Sequence, residues 1–208
     1  EIKMISKQNK INVLGPNCLG IVSPVNNLNA SFSANYPAVG KTAIISQSGA
    51  LLSSFLDWSL KNNFGISHCI SLGNKMDLSE IDFLKYLKND PHTEVIGVYL
   101  ESFKNGLEFK KLVSEISYIK PVIVLKPGKS QQAKIAVTSH TGAMAGEDEA
   151  VNSALKQAGA VRASSIEEFY DLLKAFSSQK YPKGPELAII TNAGGPGVLA
   201  TDKAVEEG

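Results

Sequence analysis

The sequence alternates between short, β-branched apolar runs and amphipathic stretches, and this pattern limits the possible folds more than any other feature. Such alternation is typical of a parallel sheet covered by helices. The apolar runs are almost continuous, as expected for strands that are buried on both faces. They predict five strands, which are Thr42–Ser46, His68–Leu72, Val95–Glu101, Val122–Lys126 and a weak Ala160–Ala163.

Amphipathic segments separate the predicted strands. Their apolar residues recur at helical spacing, for example at Leu52, Phe55 and Leu56. Ser165, followed three residues later by Glu168, predicts a capping box for the last helix. We therefore expect an α/β protein with a doubly wound parallel sheet, a flavodoxin-like domain. The helices are predicted within 51–61, 81–87, 107–116, 151–158 and 169–176.

The C-terminal part reads as the start of a second flavodoxin-like domain. Two prolines and a glycine in Tyr181–Pro185 prevent a helix from continuing and predict a linker. Leu187–Thr191 is predicted as a strand, Asn192–Gly197 as its glycine-rich turn and Val198–Glu206 as a helix. One strand and one helix cannot close a parallel sheet. We therefore expect this second domain to be truncated.

The N-terminal part resembles the end of a preceding domain. Glu1–Lys10 is predicted as the last part of a helix, and Ile11–Leu14 as a closing strand. The expected division is then residues 1–20 for this remnant, 21–180 for the flavodoxin-like domain, and 181–208 for the linker and the first β-α unit of the next domain.

Composition argues against several classes of function. Lys and Arg total 21 against 20 Asp and Glu among the 208 residues, so no basic field exists to gather a nucleic acid. The longest apolar runs, such as Val95–Leu100, are much shorter than the roughly 20 residues that span a membrane. Cys18 and Cys69 form neither a disulfide framework nor a metal site. We expect a reducing cytoplasm and no bound metal.

Three polar segments follow predicted strands: Ser46–Ala50, Glu101–Ser102 and Ser139–Gly146. Doubly wound folds bind ligands beyond the carboxyl ends of their strands. The first and third predicted strands are neighbours in the flavodoxin-like order, where they flank the switch point. We therefore expect the three segments to converge.

The segment Ser46–Ala50 ends a strand and opens a helix. The amides of Ser48, Gly49 and Ala50 are expected to point outward at the positive end of that helix, which suits a phosphate group. The Ser48 hydroxyl could donate one more hydrogen bond. An ordinary N-cap with a tight turn explains the segment equally well.

His140 lies in a loop of small residues that leave room around its imidazole ring. A neutral imidazole is a good nucleophile, and a carboxylate on its other ring nitrogen fixes the tautomer and stabilises the cation. Glu101 could supply this carboxylate. A single histidine is more often structural, and a carboxylate at a strand end more often faces solvent or caps a helix.

These segments resemble, in the same order, the α part of nucleoside-diphosphate-forming acyl-CoA synthetases. This family includes ADP-forming acetate-CoA ligase (acetyl-CoA synthetase) and is related to succinyl-CoA synthetase. The resemblance covers nearly the whole chain, and its most specific element is the loop Ser139–Gly146. The other matching segments are Gly15–Gly20, Ser46–Ala50, Glu101 and Asn192–Gly197.

The resemblance implies a three-stage reaction. Phosphate displaces CoA from an acyl-CoA, a histidine takes the phosphoryl group from the acyl phosphate, and ADP receives it to form ATP. His140 matches the phosphorylated residue and Glu101 the carboxylate that orients it. The matching phosphate-binding residues are Ser48, Gly49, Ala50, Thr141 and Gly142.

The segment Gly15–Gly20 matches a loop near the CoA thiol, and places Asn17, Cys18 and Leu19 beside CoA and the acyl group. In succinyl-CoA synthetases a proline commonly follows the loop cysteine, whereas Leu19 stands here. This departure favours the branch that uses monocarboxylates.

The resemblance also implies cofactors and partners. The substrates are CoA or acyl-CoA, phosphate, and ADP or ATP with Mg²⁺; no flavin is expected. The nucleotide is bound by an ATP-grasp module that lies outside these residues, and residues 1–20 are the end of a CoA-binding Rossmann domain. Both modules are expected in cis or as a separate subunit, in an oligomer that binds neither nucleic acid nor a membrane.

Three alternatives stay open. The chain could be a ligand-sensing, synthetase-like domain fused to a protein acetyltransferase, although the presence of both His140 and Glu101 argues for catalysis. It could be the α-type part of a succinyl-CoA synthetase. It could also be a plain flavodoxin-like binding module, which a flavin spectrum would reveal.

Overall fold

A seven-stranded sheet is the frame of the computed structural model, which describes residues 2–128, 132, 148–178 and 184–207. The strands are β1 (Gly20–Ser23), β2 (Leu28–Ser31), β3 (Val39–Ser46), β4 (Ile66–Ser71), β5 (Val95–Tyr99), β6 (Val122–Leu125) and β7 (Val161–Ala163). Their order across the sheet is β2-β1-β4-β3-β5-β6-β7. Strands β3 to β7 pair in parallel.

Most of the helices pack on the two faces of this sheet. Within the described residues they are α1 (Ile2–Gln8), α2 (Gly49–Lys61), α3 (Glu80–Asn89), α4 (Gly106–Ser117), α5 (Asp148–Gln157), α6 (Ile166–Ser178) and α7 (Gly194–Glu207). Helices α3, α4 and α5 contribute to one apolar cluster. Helices α2 and α6 contribute to the other.

The doubly wound, flavodoxin-like architecture is confirmed. The five predicted strands correspond to β3–β7 and lie in the order 2-1-3-4-5 when they are counted along the chain. Side chains on both faces of the central strands are fully buried, among them Ile44, Ile45, Ile96 and Val98. This burial explains why these strands are almost continuously apolar rather than alternating.

A hairpin at one edge of the sheet was not predicted. Strand β1 pairs antiparallel with both β2 and β4, and each hairpin strand has four residues. Asn27 forms the turn in the left-handed conformation, with φ 51°. Because β2 is largely exposed, it lacks the apolar pattern that identifies a buried strand.

The prediction of a closing strand at Ile11–Leu14 is wrong. This segment is irregular, and its backbone bonds to the loop before α3 instead of to a strand. The Val13 amide donates to Asp77 Oδ2 at 3.0 Å, and the Val13 carbonyl accepts from the Leu78 amide at 3.1 Å. The predicted helix before it is confirmed as α1.

The C-terminal β-α unit is only partly as predicted. Helix α7 is present, but Leu187–Thr191 has no regular secondary structure and pairs with no strand among the described residues. Ile190 is 98% exposed. A strand needs a neighbouring strand for its backbone hydrogen bonds, and none is provided here.

No helix among the described residues combines the length and the apolar character that crossing a bilayer requires.

Candidate functional site at the carboxyl edge of the sheet

The predicted site residues that the structure describes lie beyond the carboxyl ends of β3, β4 and β5. Three predicted residues, His140, Thr141 and Gly142, lie outside the described residues. The chain leads toward them from the end of β6, which is the neighbour of β5 in the sheet. The end of β6 therefore lies at the same edge as Glu101 and the start of α2.

The start of α2 is built by two serines. The Ser48 amide donates to Ser46 Oγ at 3.1 Å, and Ser46 Oγ donates in turn to the Ser48 carbonyl at 2.7 Å. Ser48 Oγ accepts from the Leu51 amide at 3.3 Å, so Ser48 is the N-cap of α2. The expectation of three outward-pointing, free amides is thus wrong for Ser48, because its amide already donates to the Ser46 hydroxyl. The backbone amides of Gly49 and Ala50, at the start of the helix, still have no intrahelical acceptor.

Gln47 joins the helix start to the Glu101 turn. Its side-chain oxygen accepts from the Glu101 amide at 3.0 Å and from the Ser102 amide at 3.1 Å. Its side-chain nitrogen donates to Ser102 Oγ at 3.3 Å. The predicted convergence of these two segments is therefore confirmed. Sequence analysis placed Gln47 in the segment but gave it no role.

Glu101 lies two residues beyond β5, and its side chain is buried. Tyr99 Oη donates to Glu101 Oε1 over 3.5 Å. Burial and the negative charge of Glu101 raise the Tyr99 pKa to about 12, so this hydroxyl keeps its proton at neutral pH. Glu101 is therefore a held carboxylate and not a solvent-facing strand end.

Two buried lysines surround the Glu101 turn, and sequence analysis assigned neither to the site. Lys75 follows β4 and Lys126 follows β6; their exposed fractions are 5% and 4%. Burial lowers the pKa of both amines, while the charge of Glu101 acts in the opposite direction. A lysine that directly ends an apolar strand was the available signal for Lys126. The site therefore holds cations as well as helix amides.

The loop Gly15–Gly20 packs against the start of α2. The Leu19 amide donates to Ser71 Oγ at 2.9 Å, and a Cβ at Gly49 would lie 3.8 Å from Leu19 Cβ. Asn17 is exposed and donates to Asn74 Oδ1 at 3.4 Å. The predicted CoA and acyl residues are thus brought to the same edge as the start of α2.

A glycine lets this loop approach closely. Gly73 has φ +56°, and a Cβ there would lie 2.3 Å from the Pro16 carbonyl oxygen and 2.4 Å from that of Asn17. Only glycine fits such a contact with backbone. Cys18 is half-buried and is a free thiol. An open groove of about 580 Å³ lies beside it, between the loop and the hairpin.

The arrangement suits handling of an anion beside a nucleophile. Helix amides and buried ammonium groups attract phosphate, and a held carboxylate can orient an imidazole. In the part of the chain that the structure describes, no group of three or more His, Cys, Asp or Glu side chains could hold a metal ion.

Comparison with protein families gives one family model that covers most of the chain. The model is described as the succinyl-CoA ligase like flavodoxin domain, and it matches residues 39–176. This range contains α2, Glu101, both buried lysines and the position of His140.

Curated relatives are similar over nearly the whole chain. The chain is 44% identical over 97% of its length to an ADP-forming acetate-CoA ligase of Archaeoglobus fulgidus, and 45% identical over 99% to one of Methanocaldococcus jannaschii. It is 42% identical over 94% to the α subunit of such a ligase from Pyrococcus furiosus. The chain spans only 29% of the first two proteins and 42% of the third.

A solved structure agrees with these relatives. The dinucleotide-forming acetyl-coenzyme A synthetase 1 of Candidatus Korarchaeum cryptofilum, in complex with phosphate and ADP, superposes with a TM-score of 0.92 at 39% identity. The match covers 97% of this chain and 44% of that one.

Proposed function

Because the chain belongs to the family of succinyl-CoA ligase like flavodoxin domains, we propose that it is part of an ADP-forming acyl-CoA synthetase. This enzyme converts acyl-CoA, phosphate and ADP into the carboxylic acid, CoA and ATP. His140 is the residue that carries the phosphoryl group. One observation above all supports the proposal: the start of α2, the Glu101 turn and the loop Gly15–Gly20 meet at one edge of the sheet.

The reaction has three displacements. A phosphate oxygen attacks the acyl carbonyl carbon, and the CoA thiolate leaves to give an acyl phosphate. The neutral imidazole of His140 then attacks phosphorus, and the carboxylate leaves. Finally an oxygen of the ADP β-phosphate attacks the phosphohistidine, and the imidazole leaves.

The chain's own residues bind the anion and orient the nucleophile. The amides of Gly49 and Ala50 and the Ser48 hydroxyl hold phosphate, together with Thr141 and Gly142 from the histidine loop. This use of Ser48 is compatible with its N-cap role, because the hydroxyl oxygen accepts from Leu51 while its proton stays available.

Glu101 holds one ring nitrogen of His140 while the other nitrogen attacks phosphorus. Its charge stabilises the cationic imidazole that forms on phosphorylation. Gln47 and the hydroxyl of Tyr99 support this assignment, because they hold the turn and one carboxylate oxygen.

The substrate is a monocarboxylate such as acetate. The similar proteins from Archaeoglobus and Methanocaldococcus are named acetate-CoA ligases, which supports a catalytic rather than a regulatory domain. Cys18 and Leu19 line the groove between the loop and the hairpin, where the acyl group and the CoA thiol would bind. Asn17 precedes them in the same loop and is the third residue proposed to contact CoA.

Further modules complete the enzyme. The chain covers only 29% and 42% of the length of two of its relatives. This supports a CoA-binding Rossmann domain, of which residues 1–20 are the end, and an ATP-grasp module that binds ADP with Mg²⁺. They are fused or on a partner subunit of an oligomer. Residues 21–180 form the phosphohistidine domain, and 181–208 the linker and start of the next domain.

Substitution of the carrier tests this proposal. In the full-length synthetase, His140→Ala should abolish the formation of ATP from acetyl-CoA, phosphate and ADP, because the nucleophile is lost. The matched control is His92→Ala, an exposed histidine that precedes β5 at the opposite edge of the sheet. Turnover by a folded His140→Ala enzyme at the parent rate would refute the proposal.

A further inference from the structure

Lys75 combines two unfavourable features. Its backbone is left-handed, with φ 52°, a conformation that residues other than glycine and asparagine rarely adopt. Its ammonium group is also taken out of water, since the residue is only 5% exposed. A strained residue with a buried charge persists only where the surrounding structure holds it, and such residues cluster at functional sites.

The Lys75 ammonium connects the start of α3 to the Glu101 turn. Nζ donates to the Ser102 carbonyl oxygen at 2.5 Å and lies 3.1 Å from Glu80 Oε2. Glu80 is fully buried and accepts from the Lys104 amide at 2.6 Å. Lys104 Nζ donates to the Lys75 carbonyl at 3.0 Å. This closed set of contacts fixes the turn that immediately follows Glu101.

The backbone around Lys75 holds a different segment. The Asn74 amide donates to the Pro16 carbonyl at 2.9 Å, and the Met76 amide donates to the Gly15 carbonyl at 2.8 Å. These bonds hold the loop Gly15–Gly20 and do not involve the ammonium group. Removing the Lys75 charge should therefore affect the Glu101 turn without displacing the loop.

We propose that Lys75 is a positioning residue, which acts through the Ser102 carbonyl to hold Glu101 where it can orient His140. This inference rests on the proposed function. Gln47 holds the amides of Glu101 and Ser102, and Lys75 holds the next carbonyl. With both sides of the turn fixed, the Glu101 carboxylate keeps one position through turnover.

The role of the ammonium predicts a pH dependence. Burial lowers the Lys75 pKa, and Lys104 acts in the same direction, whereas Glu80 and Glu101 raise it. Lys126 faces the same cluster. As pH rises through this lowered pKa, Lys75 loses its proton and its ion pair with Glu80. Phosphorylation of His140 should therefore slow on the alkaline side.

The test is rapid-quench phosphorylation of the full-length synthetase with ATP and magnesium. Lys75→Met should slow phosphorylation about 10- to 100-fold, because a misplacement of about 1 Å can cost 10²-fold in rate. The affinity for CoA should stay unchanged. The control is Lys85→Met, which removes an exposed ammonium paired with Glu108 and should leave the rate as in the parent.

A second variant separates positioning from folding. Lys75→Met leaves the buried Glu80 charge unpaired, whereas the double variant Lys75→Met with Glu80→Gln removes that charge and keeps an acceptor for the Lys104 amide. The double variant should recover the thermal midpoint of the parent but remain slow in phosphorylation. Its phosphorylation rate should no longer fall as pH rises. Recovery of both stability and rate, or persistence of the alkaline fall, would overturn the inference. A parent enzyme without phosphohistidine would instead overturn the proposed function.

Discussion

Gln47 and Tyr99 define the environment of Glu101 at the level of single residues. One side-chain oxygen of Gln47 binds two consecutive amides of the turn, while the Tyr99 hydroxyl contacts the carboxylate. Since Tyr99 keeps its proton, it donates to the carboxylate throughout the neutral range. These contacts hold the Glu101 carboxylate in place, as the proposed orienting role requires.

The charge of Glu101 can be removed with little change in shape. Glu101→Gln keeps the size of the side chain but loses the charge that stabilises a phosphorylated imidazole. Positioned groups of this kind contribute about 10²- to 10⁴-fold to rate, so phosphorylation of His140 should slow by a factor in that range. Rapid-quench measurement with ATP and magnesium gives this rate.

The control is Glu94→Gln, which removes an exposed carboxylate paired with Lys41 just before β5, at the opposite edge of the sheet. CoA binding should be unchanged in both variants. A phosphorylation rate within about twofold of the parent in Glu101→Gln would exclude Glu101 from the mechanism.

Gly49 offers a graded test of the helix start. A Cβ there would make only ordinary contacts, 3.8 Å from Leu19 Cβ and 4.0 Å from Ser71 Oγ, so Gly49→Ala should be tolerated. The two branches of valine would crowd Leu19 and the amides aimed at phosphate. Gly49→Val should therefore raise the KM for phosphate at least several-fold, whereas Gly49→Ala should not. Equal KM values in the two variants would favour a plain N-cap.

At the scale of helices and strands, packing between β5 and α6 contributes to the free energy of unfolding. Gly97 in β5 faces α6, and a Cβ there would lie 2.9 Å from Leu173 Cδ2 and 3.0 Å from Phe169 Cζ. Both side chains are fully buried, so they have little room to move. Gly97→Ala should reduce the free energy of unfolding by about 1–3 kcal/mol, the usual effect of overpacking.

The control for overpacking is Gly106→Ala at the start of α4, where a Cβ would meet nothing within 4 Å. Alanine favours a helix over glycine by roughly 1 kcal/mol, so this change should be neutral or stabilising. Urea unfolding of both variants measures the difference. Equal stability of Gly97→Ala and the parent would show that α6 adjusts freely.

Local patterns predicted the elements that bury apolar side chains. Strands β3–β7 and helices α2–α6 are apolar at the spacing that their burial requires, whereas the exposed β2 carries no such signal. The hydroxyl contact of the predicted capping box is confirmed. Ser165 Oγ accepts from the Glu168 amide at 3.1 Å, but the Glu168 carboxylate accepts from the Ser164 amide at 2.7 Å. Helix α6 begins at Ile166, directly after the predicted N-cap Ser165.

The candidate site was predictable where a polar residue directly follows an apolar strand. This rule located Glu101 and the start of α2. Lys75 was missed because its burial depends on Glu80 and on Ser102, which lies 27 residues further along the chain. Local spacing contains no signal for such a contact.

At the scale of the molecule, the described residues form a sheet covered on both faces, with the proposed site at the carboxyl ends of its strands. The two apolar clusters pack on the two faces of β3–β6, and the strand ends bring α2, Glu101 and both buried lysines to the same edge. The proposed CoA-binding and ATP-grasp modules would approach this edge. His140 would carry the phosphoryl group from the acyl phosphate to ADP.

Direct mapping of the phosphate tests whether His140 carries the phosphoryl group. The full-length synthetase is incubated with ATP and magnesium, digested at alkaline pH and analysed by mass spectrometry. We expect one acid-labile phosphate on the peptide that contains His140, which disappears when ADP is added and is absent from His140→Ala. An enzyme that turns over with no phosphate on this peptide, or with phosphate on a different residue, would contradict this expectation.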